Sequence, residues 1–184
     1  MKVYTIGLAL IGLLCLLPGR GYSQTPPPEE GESVMEIKST AFENGGAIPA
    51  KFTCDGANVS PPLSWNSVPG NARSLALICD DPDAPVSTWV HWVIFNLPPD
   101  SGGLPEHVPT QKKLSGGALQ GSNDFRKIGY GGPCPPGGTH RYFFKLYALD
   151  MVPDLSAGST KAALERAMEG HIVGQAQLMG TYSR

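Results

Sequence analysis

The sequence predicts a mostly antiparallel β-sandwich with one late helix, and three observations lead to this fold class. Of the 184 residues, 23 are glycine and 18 are proline, a composition that favours a turn-rich β protein. Short runs of β-branched and aromatic residues lie between these turn residues, as expected of strands. Only one segment, near the C-terminus, has helix-forming residues between start and stop signals. The length suits one domain with a substantial core.

The predicted strands are recognised by apolar runs with turn residues at their ends. Residues 73–79 (RSLALIC) are almost continuously apolar, which indicates a buried strand. Residues 90–97 (VHWVIFNL) are β-branched and aromatic and stop at two prolines, which cannot continue a central strand. Residues 141–149 (RYFFKLYAL) are apolar at every even position, so one face of this strand is predicted to be buried. In chain order the predicted strands are residues 34–39, 73–79, 90–97, 141–149 and 171–182.

The predicted helix follows Ser159 or Thr160, either of which can cap it, and Gly170 ends it. Two long segments between the strands are predicted as loops. Residues 52–65 are full of helix and strand breakers and contain only short extended pieces. Residues 100–134 are Gly-rich, and loops of this length in a compact domain are usually functional or disordered.

The chain begins with a segment typical of a secretory signal peptide, predicted to span residues 1–23. A lysine precedes the apolar run of residues 6–17, and small residues follow it. The run is shorter than the roughly 20 residues that cross a bilayer, so we expect cleavage after Ser23 and no membrane span afterwards. Residues 24–33 (QTPPPEEGES) are predicted to form a disordered linker, and residues 34–184 the folded domain of an exported protein, either periplasmic or secreted.

The charge of the mature chain argues against nucleic acid as a partner. Cleavage removes two of the 14 basic residues and none of the 16 acidic ones, which leaves a net charge of −4. No run of Lys and Arg exceeds two residues. Binding of nucleic acid through a basic patch is therefore not expected.

Three cysteines remain after cleavage: Cys54, Cys79 and Cys134. Export permits a disulfide, and the odd count leaves at least one thiol unpaired in the monomer. The sequence does not decide which two pair. Their spacing matches no zinc site, so no structural metal and no cofactor are predicted.

The first chemically distinctive stretch is DDPDAP at residues 80–85, directly after a buried strand. Its two prolines fix the backbone, so the chain turns in a defined way. Aspartates in such turns often only accept hydrogen bonds from backbone amides. The next strand carries His91 near its start, and a lone strand histidine is more often a satisfied core residue than a functional one.

The second distinctive stretch is GYGGPCPPGGTHRYFF at residues 129–144. Glycines let a backbone approach a ligand and expose its N–H groups, and the prolines stiffen the loop. An elaborate turn before a strand is the alternative. The stretch is neither a P-loop nor a dinucleotide fingerprint, because both glycine patterns are absent.

Together the two stretches predict a small anion pocket. Each is a rigid loop that leads into an aromatic strand with a histidine at the junction. The residues expected to line the pocket are Asp81, Asp83, His91, His140 and Tyr142, and carboxylates there would favour charged imidazoles. Such a pocket suits a small anion held by His, Tyr and backbone N–H groups. We expect Asp81 to orient a histidine, the tryptophans to pack beneath, and Asp80 to be solvated.

These stretches, with FTCDGANVSPPLSW, SLALICDDPDAP, NDFRKIGYGG and EGHIVGQAQLMGTY, resemble the phosphatidylethanolamine-binding proteins. The resemblance is strongest to the bacterial YbhB/YbcL branch, called Raf-kinase-inhibitor-like proteins, and covers about residues 34–183. It implies two antiparallel sheets with Greek-key connections and a pocket for phosphate, phosphoryl head groups or acetate-like ions. The pocket residues that it implies are Asp81, His91, His140 and Tyr142, with Asp83, Pro85 and the loop of residues 132–138, including Gly132 and Cys134, at the rim.

The expected function is a non-enzymatic binding protein whose ligand is a small anion or the phosphoryl end of a larger ligand or partner protein. No nucleophile motif is present, since Ser87 and Thr88 lie outside any GxSxG elbow. Two alternatives stay open. One is inhibition of a protease or another secreted protein through a surface outside the pocket. The other is phosphoester hydrolysis, because two Asp and two His can hold a metal or perform acid–base chemistry.

Overall fold

The predicted β-sandwich with one helix is confirmed. The computed structural model describes Met1 and residues 34–184, so the predicted signal peptide and linker lie outside the described residues except for Met1. The strands are β1 (Glu36–Lys38), β2 (Leu63–Asn66), β3 (Ser74–Asp81), β4 (Trp89–Leu97), β5 (Gly103–Leu104), β6 (Leu119–Gln120), β7 (Thr139–Leu149) and β8 (Ile172–Ser183). A 3₁₀ turn spans Ala50–Phe52, and the helix α1 spans Lys161–Met168.

The strands form two antiparallel sheets. The smaller sheet has the order β1-β2-β5, and the larger has the order β6-β4-β3-β7-β8. In the larger sheet, β3, β4 and β6 lie side by side in chain order, and β7 then pairs with β3 on the side away from β4. The spatial order of β6, β4, β3 and β7 is that of a Greek key, as the family resemblance implies.

The pattern of burial explains why these residues form strands. In β7, the even positions Tyr142, Phe144, Leu146 and Ala148 are fully buried in the main core, whereas most odd positions are partly exposed. By contrast, β3 is buried at every position. Helix α1 packs Leu164 and Met168 against the second face of β3. Both faces of this strand are therefore buried, and its residues do not alternate between apolar and polar.

The helix ends follow the sequence signals. Thr160 is the N-cap, and its hydroxyl accepts a hydrogen bond from the Ala163 N–H. Gly170 follows the helix with φ 78°, the left-handed conformation that glycine adopts without a Cβ penalty. Of the two predicted caps, Thr160 is therefore the one used.

The strand β3 differs from its prediction at its C-terminal end. It runs through Asp80 and Asp81, which were expected in the following turn. The expectation that Asp80 is solvated is wrong, since its side chain is 0% exposed. It lies under α1 and pairs with Lys145 at 2.8 Å and with Lys161 at 2.7 Å. Two lysines that the sequence places far away compensate the buried charge.

A disulfide joins Cys54 to Cys134, with a Cα–Cα distance of 5.4 Å and a sequence separation of 80. Cys79 is the free cysteine of the described chain and is buried. Its burial raises the pKa of the thiol well above its ordinary value. The pairing that the sequence left open is thus Cys54 with Cys134, which ties residues before β2 to the Gly-rich loop before β7.

Candidate functional site

The three central strands of the larger sheet bring the two distinctive stretches together. β3 pairs with β4 so that Asp81 lies opposite Trp89, and β3 pairs with β7 so that Asp80 lies opposite Phe143. The end of β3 therefore lies between the starts of β4 and β7, where His91 and His140 are found. A cavity of about 180 Å³ opens there, and we call it the anion pocket after the ligand that the sequence predicts. Its lining residues are Asp81, Ala84, Pro85, Trp89, His91, Phe125, Cys134, Pro135, Pro136 and His140.

Asp81 and His140 form a buried pair at the base of the pocket. The His140 Nδ1 lies 2.7 Å from Asp81 Oδ2, and the two residues are 7% and 3% exposed. The other carboxylate oxygen, Oδ1, accepts the Asp83 N–H at 2.8 Å. Because an ionised carboxylate only accepts hydrogen bonds, the His140 proton sits on Nδ1. As predicted, Asp81 therefore orients a histidine, and this contact engages Nδ1 rather than Nε2 of His140.

His91 is oriented in the same way, by a backbone carbonyl. Its Nδ1–H donates to the Gly131 oxygen at 2.6 Å, and the Gly131 N–H donates back to the His91 carbonyl at 2.9 Å. Burial lowers the pKa of His91 below its ordinary value, and the Gly131 carbonyl and the Asp81 charge only partly oppose this effect. The Asp81 carboxylate thus favours the charged form of His91, as expected, but desolvation outweighs it, so the net shift of the pKa is downward.

Two aromatic side chains form a wall that the sequence did not predict. Trp89 and Phe125 pack edge-to-face at 5.5 Å between ring centroids, and Phe125 packs against His91 at 5.3 Å. Trp92 lies in the core, as expected, with 0% exposure, but Trp89 is 37% exposed at the pocket mouth. The prediction that the tryptophans pack beneath the site is thus correct for Trp92 and wrong for Trp89.

Phe125 is held over His91 by the loop that carries it. The Asp124 N–H donates to the Val90 carbonyl at 3.0 Å, and the Asp124 carboxylate accepts the Val90 N–H at 2.7 Å. The Asn123 side chain accepts the Lys127 N–H and donates to the Gly129 carbonyl. These bonds lock the turn against the start of β4, so the ring position is set by long-range contacts. The only sequence signal was a phenylalanine in an otherwise polar loop.

The other predicted residues surround the pocket without lining it. Tyr142 packs edge-on against His91 at 5.1 Å between ring centroids. Its buried hydroxyl has no hydrogen-bond partner among the described residues, and burial followed by the Asp81 charge raises its pKa. Asp83 instead binds the Arg141 guanidinium and backbone N–H, and this hydrogen bonding lowers the pKa of its carboxyl to about 2.

Gly132 has a structural role beside the pocket. Its N–H donates to the Asn58 side chain at 2.7 Å. A Cβ at this position would lie 2.4 Å from the Phe52 carbonyl oxygen, a distance that real Cβ atoms do not tolerate. The glycine is therefore required for the close approach of the Gly-rich loop to the residues before β2.

The lowered pKa of His91 predicts a loss of stability in mild acid. Between this pKa and about 6.5, the unfolded chain binds a proton that the folded chain does not, so the free energy of unfolding falls as the pH decreases. We expect the His91→Gln variant to lose this part of the pH dependence, as measured by urea unfolding at pH 5 and pH 7.5. The matched control is His171→Gln, whose ring is exposed. Equal pH slopes for wild type and His91→Gln would contradict the assignment.

Neither a metal cluster nor a membrane-crossing helix occurs in the described part of the chain. No group of three or more His, Cys, Asp or Glu side chains is placed to hold a metal ion. No helix there is long and apolar enough to cross a bilayer.

Comparison with known proteins gives one consistent family. The family model of phosphatidylethanolamine-binding proteins matches residues 38–183. A UPF0098 protein of Methanothermobacter thermautotrophicus is 60% identical over 150 residues, which cover 82% of this chain and 99% of that protein.

Solved structures agree with this result. A phosphatidylethanolamine-binding protein homologue of Chlamydia trachomatis matches with a TM-score of 0.76 and 44% identity, covering 82% of this chain and 98% of that chain. E. coli YbcL, described as a member of the mammalian family, matches with a TM-score of 0.75 and 32% identity, with the same coverage.

Proposed function

Because the chain belongs to the phosphatidylethanolamine-binding protein family, we propose that it is an exported, non-enzymatic binding protein whose pocket takes a small anion or a phosphoryl group. One observation carries the proposal. His91 and His140 line the same cavity, and the Nδ1 of each is already engaged, by Gly131 and by Asp81. The Nε2 atoms are therefore the ring nitrogens left to bind a ligand.

The charge state of these nitrogens determines what they bind. A neutral imidazole with its proton on Nδ1 presents Nε2 as an acceptor, whereas a charged one presents Nε2–H as a donor. A fully ionised anion thus requires at least one charged histidine, and charge-assisted hydrogen bonds are stronger than neutral ones. A phosphate monoanion can also donate its own O–H to a neutral Nε2. This dual character favours phosphoryl groups, which carry both donors and acceptors near neutral pH.

The disulfide supports the proposal of export. Disulfides persist in oxidising compartments and are rare in the cytosol, and Cys54–Cys134 borders the pocket. The signal-like sequence of residues 1–23 points the same way. The lining residues of the pocket include no serine or threonine, and their one cysteine is disulfide-bonded, so they offer no hydroxyl or thiol nucleophile.

Calorimetric titration tests the proposed function. We expect the mature protein to bind phosphate and phosphoethanolamine, with acetate as a weaker ligand. We expect His140→Ala to weaken phosphate binding by about tenfold or more, because a hydrogen bond to a charged group is worth about 1.5–3 kcal/mol. The matched control is His171→Ala, which removes a histidine that is also paired with an aspartate but lies at the surface. Failure of the wild-type protein to bind any of the three anions would overturn the proposal and favour a role in protein–protein contact.

A further inference from the structure

A second cavity adjoins the anion pocket and shares Phe125 and Cys134 with it. We call it the side cavity. It also measures about 180 Å³, and its lining residues are Cys54, Asn58, Phe125, Lys127, Tyr130, Gly131, Gly132 and Cys134. The two cavities thus lie next to each other, divided by one aromatic ring and one disulfide.

We propose that the side cavity is a second subsite for the same ligand. On the basis of the proposed function, the phosphoryl group occupies the anion pocket. The rest of the ligand then passes over Phe125 and Cys134, places an apolar group in the side cavity and directs an anionic end towards Lys127. The ligand class is a phosphomonoester whose apolar substituent carries a carboxylate.

The sizes of the cavities support a ligand that spans both. Pockets for small organic ligands usually measure about 300–1,000 Å³. The anion pocket alone falls below this range at about 180 Å³. Together with the side cavity it enters the range, so a ligand larger than a bare phosphate fits the combined site.

The residues that line the side cavity indicate the chemical character of the middle part of the ligand. Tyr130 donates its hydroxyl proton to the Phe52 carbonyl at 2.9 Å, so only its ring is available to a ligand. The Phe125 ring is 36% exposed and packs directly on the backbone of Gly131. This contact requires a glycine, because a Cβ on Gly131 would lie 2.7 Å from the ring. Two rings and a disulfide form a mostly apolar surface, which favours an apolar and preferably flat substituent.

The charges at the rim determine the end of the ligand. Lys127 lines the side cavity and has no ion-pair partner within residues 34–184. In contrast, Arg141 pairs with Asp83, and Arg184 pairs with Asp55. An unneutralised ammonium beside an apolar wall favours a substituent that ends in an anion, and the locked turn described above fixes the backbone of Lys127.

Calorimetric titration with three ligands of increasing size tests the subsite. The probes are inorganic phosphate, phenyl phosphate and 4-carboxyphenyl phosphate. We expect phenyl phosphate to bind about tenfold more tightly than phosphate, because it buries apolar ring surface. We expect the carboxylate to add about threefold more, as for a partly exposed ion pair. Lys127→Met should remove only the last step, whereas Lys112→Met, an exposed lysine outside both cavities, should change nothing.

The outcomes separate this inference from the proposed function. If phosphate binds but neither ester binds more tightly, the subsite is wrong and the anion pocket stands. If Lys127→Met weakens phosphate as much as the carboxylated ester, Lys127 attracts every anion from a distance, and the proposed ligand class with a carboxylate end is wrong. If no probe binds, both proposals fail. As a second readout, the NMR signals of the Asn58 side-chain amide should shift with the esters and not with phosphate.

Discussion

Replacing Asp81 with asparagine is expected to weaken sulfate binding by about tenfold at pH 5.5, while the protein stays folded. The amide oxygen can still accept the Asp83 N–H, which the carboxylate accepts at 2.8 Å. The amide nitrogen then faces His140 Nδ1, which now binds Asp81 Oδ2 at 2.7 Å. A donor in this position leaves no acceptor for a proton on Nδ1, so His140 carries one ring proton, on Nε2, and donates to sulfate as a neutral group. Hydrogen bonds that involve a charged group are worth about 1.5–3 kcal/mol, against about 0.5–1.5 kcal/mol for neutral ones.

Sulfate is the informative anion because it carries no proton in this pH range and therefore requires a charged histidine. In the wild-type protein its affinity should fall as the pH rises, and the part of the fall that comes from His91 should lie below pH 6.5 because the pKa of this residue is lowered. In Asp81→Asn the slope should be smaller. A flat wild-type profile from pH 5 to pH 8 would contradict binding through a charged histidine.

The matched control for this variant is Asp150→Asn. Asp150 binds His171 Nδ1 at 2.8 Å, the same chemistry as the Asp81–His140 pair, but both residues are exposed. Its sulfate affinity should equal that of the wild type. Thermal unfolding of both variants is needed beside the titrations, because a collapse of Asp81→Asn would mean that the carboxylate serves the fold rather than the ligand.

Much of the anion pocket could be predicted because its parts are encoded locally. Each distinctive stretch places a histidine where a rigid loop meets a strand, and antiparallel pairing of β3 with β4 and β7 brings the loops together. Five of the predicted residues line the cavity: Asp81, Pro85, His91, Cys134 and His140. Phe125 could not be predicted because hydrogen bonds between Asp124 and Val90, distant in sequence, hold its ring over His91.

The two adjacent aspartates show why the rest needed the structure. Successive strand residues point to opposite faces of a sheet, so a strand that continues through Asp81 must place Asp80 and Asp81 on different sides. The sequence could not show that the strand continues, since the lysine that meets Asp80 from α1 lies 81 residues away. The lowered pKa of His91 could not be predicted either, because the burial of this side chain depends on the packing of the whole sheet.

The double variant Lys145→Met/Lys161→Met is expected to lose about 3–5 kcal/mol of unfolding free energy. Both lysines neutralise the Asp80 carboxylate, which is 0% exposed, and a buried charge without its partners is strongly destabilising. The raised pKa of Lys161 indicates that this lysine and Asp80 attract each other. Burial lowers it, but the hydrogen bond and charge of Asp80 outweigh this effect, so the pKa is raised. Urea unfolding at pH 7 gives the free energy directly.

A triple variant separates the buried charge from lost packing. Adding Asp80→Leu to the two methionines replaces the ion cluster with apolar side chains, which is often neutral or stabilising, so most of the lost stability should return. No recovery would mean that the lysine stems, not their charges, hold α1 against the sheet. Lys38→Met, which breaks an exposed pair with Glu36, should change little. Asp80 directly precedes Asp81 at the end of β3. We therefore expect the double variant to lose sulfate affinity as well as stability, and the triple variant to regain both.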